Sequence, residues 1–402
     1  MPEVLLSERV LIFAAAAPKK VTVTNTGDAG LAMGSVKVTG VDSNAFAKTG
    51  DTCSGKLLVP SSTCEVTVVR GTSTKSEVQS ALLEFADNGT ASPQKVSLVA
   101  QLPTCKLPVL VSVENSPAQG SLLDTTTGRA LYDPGGGFNG APASTGRVTT
   151  VAEPVLTGTA SGYYDRQVGR WLPVLGAGWV APDGLRYVYM DYNPGSTRDL
   201  HVVDVRTGRE RILPMAPGYW TVVAFTTQGI LVNQAYEGIG PGLSLVDPDT
   251  GSIRQVLTKG AVQAVTGSTA WVGVRNPADT LPDWGIGGGN NELDSVDMAS
   301  GATRTWLYVP GSQLYLSAVY NGLPVIAVNF PGGGKTVVVT SPNQTTTFDL
   351  PLSQDESPSL TGLVSDSMGL WIGSADGVYL WTLRTGGILV SSQPATPAGT
   401  CA

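Results

Sequence analysis

The sequence is poor in histidine and in charge, and it contains no long apolar run. Its 402 residues include one histidine, His201, so a Ser-His-Asp triad or a multi-histidine metal site would depend on that residue alone. Because His201 lies inside the strand-like run DLHVVDV, we expect it to have a structural role. Without a run of about 20 apolar residues, the sequence predicts no membrane span.

Basic charge is also scarce. Charged residues make up 14% of the chain and the formal net charge is −7. Nucleic acids and anionic membrane surfaces attract basic proteins, so we predict neither as a partner. The acidic balance favours a soluble surface over an electrostatic binding function.

Glycine is abundant, with 49 residues, and several glycines close a recurring hairpin. The clearest copy, Asp204 to Gly208 (DVRTG), lies between two strand-like runs. Similar hairpins begin at Asp124, Asp165, Asp247 and Asp297, and degenerate copies follow at 340–344 and 382–386. Their closing positions lie 39 to 50 residues apart. A strand-built repeat of about forty residues is typical of a β-propeller, so seven hairpins predict seven blades.

For most blades, the sequence predicts four strands. For blade four we predict strands at 220–226, 230–235, 243–247 and 252–257, and for blade three an inner strand at 178–181. Blade one shows only three strands. Because the tail 391–402 is rich in proline, two alternatives stay open: a disulfide replaces ordinary closure by strand exchange, or the tail pairs only briefly.

The first 102 residues have a different pattern. Six strand-like runs occur within them, and the run Val21-Thr22-Val23-Thr24 alternates apolar and polar side chains. Val10 to Ala17 (VLIFAAAA) is similar to the apolar core of a signal peptide, but it continues directly into a strand, so we interpret it as the first strand. We expect any secretion signal to precede this numbering. The strand density predicts a β-sandwich.

Several motifs in this part support a family resemblance. Phe13, VTVTNTGDAGL, Phe46, Cys53, LLVPSSTC ending at Cys64, and FADNGTASPQKVSLVA follow one another in that order. The order resembles the Hydin-like (ASH-type) immunoglobulin-fold domains, called choice-of-anchor D domains in bacterial surface proteins. The resemblance implies a spacer, anchor or adhesion module without catalysis, and it implies that Cys53 pairs with Cys64.

The other two cysteines, Cys105 and Cys401, lie at the two ends of the predicted propeller. A propeller brings its ends together to close the ring, so a Cys105–Cys401 bridge would lock that closure. Four cysteines allow three pairings, and the other two would cross domains. The alternative is four free thiols in a cytosolic protein. We therefore predict an immunoglobulin-like sandwich at 1–102, a seven-bladed propeller at 105–402, and an all-β fold class.

The predicted propeller has tight turns on one face and longer loops on the other. The longer loops connect the second and third strands of blades three to six, and the largest is NPADTLPDWGIGGGNNE. Binding residues tend to lie on loops of a rigid scaffold, and aromatic rings beside amides and carboxylates suit glycans or peptides. The candidate binding residues are Tyr192, Asn193, Tyr236, Glu237, Asp279, Asp283, Trp284, Asn290 and Asn291. The alternative is a surface loop whose tryptophan packs on its own blade.

No catalytic residue and no metal site is predicted, and no cofactor is implied. Calcium stays an alternative, because Asp and Asn oxygens cluster in the long insertion, although their spacing fits no EF-hand loop. The favoured function is a non-catalytic bacterial surface or secreted protein that binds a protein or glycan partner. The alternatives are a structural subunit that assembles with other copies in a surface filament or layer, and a lyase or glycosidase that uses Asp, Glu and Tyr.

Overall fold

A computed structural model describes residues 1–71, 77–113, 116–136, 162–174, 176–190, 199–218, 220–234, 242–258, 260–276, 278–279, 289–330, 333–350 and 360–401. Their regular secondary structure is almost entirely β-strand, which confirms the predicted all-β class. Within these ranges, the helical segments are short 3-10 turns at Ser43–Ala45, Pro134–Gly136 and Ala177–Trp179. None of the helices in the described part of the chain has the length and apolar character needed to cross a membrane.

Residues 4–100 form two facing sheets. Their strands are β1 Val4–Leu6, β2 Val10–Phe13, β3 Lys19–Asn25, β4 Leu31–Thr39, β5 Phe46–Asp51, β6 Leu57–Leu58, β7 Thr63–Arg70, β8 Gln79–Asp87 and β9 Gln94–Ala100. One sheet has the order β1-β3-β7-β5, and the other has the order β2-β9-β8-β4-β6. All pairs are antiparallel except β2 with β9, which run parallel. The sequence analysis missed β1, β5 and β6, which lie at sheet edges.

The core of this sandwich comes from the alternation seen in the sequence. Val21 and Val23 are fully buried, whereas the threonines beside them are partly exposed. Phe13 is also fully buried, and its ring lies 5.6 Å from that of Phe46, which begins β5. Apolar side chains from both sheets thereby share one core, which is the arrangement that makes a sandwich stable.

From Lys106 onward the described residues form seven sheets in sequence. Blades one to three contain β10 Lys106–Val113, β11 Ser116–Asp124, β12 Arg129–Tyr132, β13 Tyr163–Asp165, β14 Arg170–Leu172, β15 Arg186–Met190, β16 Asp199–Asp204 and β17 Glu210–Pro214. Blades four and five contain β18 Trp220–Thr226, β19 Gly229–Gln234, β20 Leu243–Val246, β21 Ile253–Gln255, β22 Ala261–Thr266, β23 Thr269–Val274, β24 Glu292–Asp297 and β25 Thr303–Tyr308. Blades six and seven contain β26 Gln313–Tyr320, β27 Leu323–Phe330, β28 Gly333–Ser341, β29 Gln344–Thr347, β30 Leu360–Ser365, β31 Leu370–Ser374, β32 Gly377–Thr382 and β33 Gly386–Ser391.

The last strand, β34 Thr396–Pro397, returns to blade one and pairs with β10. Its two residues complete the four-stranded order β12-β11-β10-β34. Of the two alternatives for closure, brief pairing of the tail is therefore the one found, and the disulfide accompanies it. The seven-bladed propeller predicted from the hairpin period is confirmed.

One predicted strand is wrong. Residues 178–181 were expected to form the inner strand of blade three, but a 3-10 turn occupies Ala177–Trp179 and only Val180 bridges to Tyr187. Pro182 follows at once, and Gly184 adopts a left-handed φ of 69° to close the next turn. The turn chemistry ends the strand before a ladder can form.

Both predicted disulfides are present. Cys53–Cys64 joins the loop after β5 to β7, with 5.1 Å between the Cα atoms. Cys105–Cys401 joins the start and the end of the propeller, with 5.7 Å between the Cα atoms.

Candidate binding face

The hairpins of the repeat lie on the face opposite the long loops. In blade five, the first turn and the Asp297 hairpin contact each other, because the backbone N–H of Met298 donates to the carbonyl of Ser268 at 2.9 Å. The long insertion leaves β23 and enters β24 at the other end of the same blade. The tight turns and the long loop are therefore separated by the full length of a strand.

Some predicted binding residues lie outside the described residues. They are Tyr192, Asn193, Tyr236, Glu237, Asp283 and Trp284. The three that are described, Asp279, Asn290 and Asn291, all lie where the long insertion of blade five meets the blade.

Asp279 and Asn291 form the base of the insertion. Asn291 is fully buried and donates from Nδ2 to Oδ2 of Asp279 at 2.7 Å. The same carboxylate oxygen accepts the backbone N–H of Gly311 at 2.8 Å, and Oδ1 of Asn291 accepts the N–H of Asn276 at 2.8 Å. These bonds tie both ends of the insertion to the connection into blade six, so Asp279 and Asn291 serve to position the loop.

A small acidic group lies beside this base. Glu292 accepts a hydrogen bond from Nδ2 of Asn276 at 2.6 Å and one from Oγ1 of Thr305 at 3.3 Å. Two residues along β24, Asp294 is 92% buried. Burial raises the pKa of Asp294, Thr305 opposes the shift by hydrogen bonding, and the Glu292 carboxylate reinforces it. Within the described ranges, no group of three or more His, Cys, Asp or Glu side chains could hold a metal ion.

Asn290 belongs to a different arrangement, which we call the amide recess. Gln263 lies on the inner strand of blade five, Gln313 and Tyr315 lie on the inner strand of blade six, and Asn290 lies in the chain just before β24. The carbonyl of Asn290 accepts the N–H of Leu314 at 2.6 Å, and Oε1 of Gln263 accepts the N–H of Leu316 at 2.6 Å. Side-chain and backbone amides of blade five are thereby bonded to the inner strand of blade six.

Two glycines allow the recess to form. A Cβ at Gly273 would lie 2.3 Å from Nδ2 of Asn290 and 2.4 Å from Nε2 of Gln263. A Cβ at Gly289 would lie 2.5 Å from Cγ of Gln313. The amide side chains pack directly against backbone that has no Cβ, so the recess requires glycine at both positions.

An exposed aromatic ring completes the recess. Tyr315 follows Gln313 by two residues in the regularly paired part of β26, so the two side chains share one face of the strand. Tyr315 is 47% exposed, although it lies on an inner strand. The sequence analysis missed Gln263, Gln313 and Tyr315; the signal that would have found them is the polar alternation of inner strands, here Gln313, Tyr315 and Ser317.

The single histidine has the structural role that was expected. His201 is buried on β16, its ring stacks on Tyr189 at 4.4 Å, and its Nδ1 lies 2.8 Å from Oε1 of Glu210. Tyr189 also donates its hydroxyl to that glutamate oxygen. The polar atoms of blade three therefore bond to one another across neighbouring strands.

Comparison with known proteins identifies neither a family nor a function for this chain. No protein-family description and no curated protein matches the chain. Among solved structures, it is similar to an oligogalacturonate lyase in complex with manganese, at 13% identity and a TM-score of 0.36 over 90% of this chain and 86% of the lyase. It is also similar to a quinonprotein alcohol dehydrogenase-like protein from Bacteroides thetaiotaomicron, at 13% identity and a TM-score of 0.32 over 95% of this chain and 82% of that protein.

Other matches are partial. The chain covers 32% of the VesB protease of Vibrio cholerae, at 18% identity and a TM-score of 0.20, through 25% of its own length. It covers 61% of TolB from Acinetobacter baumannii, at 12% identity and a TM-score of 0.30, through 65% of its own length. The chain thus spans less than two thirds of both proteins, and at these scores no activity transfers from any of the four.

Proposed function

We propose that this protein is a non-catalytic bacterial surface or secreted protein whose propeller binds a glycan on the long-loop face, with the N-terminal sandwich as spacer or anchor. The observation that carries the proposal is the amide recess of Gln263, Asn290, Gln313 and Tyr315. Glycan hydroxyl groups both donate and accept hydrogen bonds, as side-chain amides do, and sugar rings stack on exposed aromatic rings.

The recess is suited to binding because its parts are already held in place. Gln263 reaches into blade six and Asn290 is fixed through its carbonyl, so neither residue needs to be ordered by a ligand. Among the described residues, Oδ1 of Asn290 has no hydrogen-bond partner. A preorganised polar site loses less entropy on binding than a mobile loop does.

The insertion base supports the same site. Asp279 and Asn291 anchor both ends of the long insertion beside Asn290. In the proposal, the remaining predicted residues contribute from the neighbouring loops: Trp284 and Asp283 from the insertion, Tyr192 and Asn193 from blade three, and Tyr236 and Glu237 from blade four.

Two features support an extracellular location. Disulfides persist in oxidising compartments, and both cysteine pairs of this chain are bridged. The sandwich carries one of these bridges at the position that its resemblance to Hydin-like domains implies, and membership of that family is part of the proposal.

The recess favours binding over the two alternatives. An enzyme would need a general acid or base within reach of a ligand, but the four recess side chains are amides and a phenol, and burial raises the pKa of Tyr315. A surface-layer subunit would need no polar recess on its axis.

The test is a glycan array with the full chain and a Tyr315→Ala variant. Loss of the stacking ring should weaken binding of the best glycan about tenfold, as expected for an aromatic hot spot. Tyr132→Ala is the matched control, because Tyr132 is 54% exposed on the outer strand of blade one, away from the recess. It should leave the affinity unchanged.

Three results would count against the proposal. They are the absence of glycan binding, equal losses in the two tyrosine variants, and capture of a protein ligand that Tyr315→Ala does not weaken. A Trp284→Ala variant measured in the same assay decides whether the long insertion takes part.

A further inference from the structure

A cleft of about 400 Å³ lies between blades four and five on the tight-turn face, which is the face opposite the amide recess. It is enclosed by the first turns of both blades and by the Asp297 hairpin of blade five. Its volume lies at the small end of the range for sites that bind small molecules. Its two walls are contributed by different blades.

The wall from blade four is a single row of side chains. Leu231 pairs with Leu245 across β19 and β20, and Leu245 pairs with Arg254 across β20 and β21. Directly paired residues point to the same side of a sheet, so these three side chains face blade five together. Val256 continues the apolar surface beyond Arg254, and Met298 faces it from blade five.

Blade five carries the same row of side chains, but there larger side chains fill the space between blades five and six. Trp271 pairs with Ser295, and Ser295 pairs with Arg304, at the positions that correspond to Leu231, Leu245 and Arg254. Trp306 stands where blade four has Val256, and its ring lies 5.3 Å from that of Trp271. Two tryptophans thus close the seam between blades five and six, whereas a leucine and a valine leave the preceding seam open.

Arg254 and Arg304 occupy matching positions, but their surroundings differ. The guanidinium of Arg304 lies 5.6 Å from the ring of Trp306, a cation–π arrangement. The side chain of Arg254 is exposed and makes no hydrogen bond or ion pair in the described part of the chain. The carboxylate at the opposite rim, Asp297, is already bonded to Ser300 and Ser268. The cleft therefore combines apolar walls with one unpaired cation.

From this arrangement we infer that the cleft binds a small aliphatic carboxylate, with its chain between Leu231, Leu245, Val256 and Met298 and its carboxylate on Arg254. An aliphatic chain gains from the apolar walls, and a planar guanidinium binds a carboxylate through two parallel N–H donors. The site is independent of the glycan recess, because the two lie on opposite faces of the propeller.

The test is titration of the full chain with decanoate below its micelle concentration, followed by ¹³C-methyl methionine NMR. The chain has six methionines, and a Met298→Leu variant assigns the Met298 signal. Decanoate should shift the Met298 methyl signal selectively. Arg254→Gln should weaken decanoate binding about tenfold, as expected for loss of a charge-assisted contact, and should leave binding of decanol unchanged.

Two further variants separate the site from general surface binding. Arg304→Gln is the matched control one blade further on, and it should not alter decanoate affinity. Val256→Trp copies blade five and should abolish binding of both decanoate and decanol. If this variant does not fold, Arg254→Gln still decides the question, because Arg254 lies on the surface.

The inference is overturned if the Met298 signal does not move or if decanol binds as tightly as decanoate. It is also overturned if Arg304→Gln weakens binding as much as Arg254→Gln does. Binding of an apolar peptide through its C-terminus, without binding of decanoate, would assign the cleft to a different class of ligand.

Discussion

At the scale of residues, the repeated aspartates act on their own backbone. Asp297 accepts the backbone N–H of Ser300 at 2.8 Å and its hydroxyl at 2.7 Å. Both bonds lower the pKa of Asp297, the hydroxyl bond more than the backbone bond. Asp204 accepts the same pair of bonds from Thr207, and its pKa is lowered in the same way. Because a carboxylate held in this way is stabilised as the ion, these aspartates build turns and do not supply protons.

The glycines that close the turns have an equally local role. Positions 128, 169, 208, 251, 301 and 386 all have φ between 65° and 77°. In the degenerate sixth hairpin, Asn343 has a φ of 56° one position earlier. Asparagine is the residue that best replaces glycine in this region, which explains how the TSPNQ copy still turns.

Gly301→Ala isolates this backbone effect, because no atom lies within 4 Å of the Cβ that the substitution adds. With a φ of 73°, we expect the free energy of unfolding to fall by about 1 kcal/mol, measured by urea denaturation. Gly301→Asn should cost less than Gly301→Ala. Gly128→Ala should cost more, because its Cβ would lie 2.7 Å from the carbonyl oxygen of Val390. Equal costs for the alanine and asparagine variants at 301 would contradict this account.

At the scale of elements, ring closure depends on a very short strand. β34 has two residues, but the chain beside it adds further bonds: the N–H of Ala398 donates to Pro108 at 2.9 Å, and the N–H of Cys401 donates to Oδ2 of Asp366 at 2.7 Å. The carbonyl of Ala398 also accepts the N–H of Tyr164 in blade two. The tail thus connects blades one, two and seven, and Cys105–Cys401 holds it there.

Loss of the ring-closing disulfide should destabilise the propeller strongly. The bridge spans 296 residues, for which chain entropy gives about 6 kcal/mol. The bridge Cys53–Cys64 spans 11 residues and is worth about 3 kcal/mol by the same argument. We therefore expect Cys105→Ser/Cys401→Ser to lower the free energy of unfolding more than Cys53→Ser/Cys64→Ser does.

Tryptophan fluorescence during denaturation measures this difference, because all eight tryptophans lie in the propeller part of the sequence. The variant without Cys53–Cys64 is the matched control, since it also lacks one bridge. An equal shift of the fluorescence transition in both double variants would contradict a dominant role for ring closure.

At the scale of the whole molecule, the sandwich docks on blade seven. Val10 of β2 packs against the cluster that contains Tyr379 and Trp381. At one end of this contact, Arg384 pairs with Asp42 at 3.1 Å and also donates to the carbonyl of Val78. Asp42 is 98% buried, whereas 37% of the Arg384 side chain is exposed, so this pair lies at the rim of the contact.

Arg384→Gln should loosen the docking of the sandwich. Removing Arg384 leaves the buried Asp42 carboxylate without its cation; because Arg384 is partly exposed and solvent screens the pair, we expect a cost of about 1 kcal/mol. The control is Arg211→Gln, because Arg211 is exposed and donates to the carbonyl of Asp249 within the propeller. We expect faster hydrogen exchange in β2 and β9 for Arg384→Gln alone; unchanged exchange would mean that apolar packing holds the contact without the ion pair.

The amino-acid sequence by itself determined the all-β class, the seven blades and the turn residues. These features depend on neighbours along the chain: strand alternation at Val21 to Thr24, and an aspartate four positions before a left-handed glycine. The Cys105–Cys401 disulfide could also be predicted, because closure of a ring brings its ends together, whereas Cys53–Cys64 was implied by the resemblance to Hydin-like domains. The strand predicted at 178–181 was wrong, because the proline that follows outweighed the strand propensity of these residues.

Only the tertiary structure decided which polar groups meet. Gln263, Asn290 and Gln313 are far apart in the sequence, and their side chains meet at two glycines, Gly273 in β23 and Gly289 in the chain before β24. Likewise, Arg254 and Arg304 occupy matching positions, and a tryptophan beside one of them gives the two arginines different surroundings. Strand periodicity fixes the face on which a side chain lies, but packing between blades fixes what that face contacts, and that packing depends on residues distant in the chain.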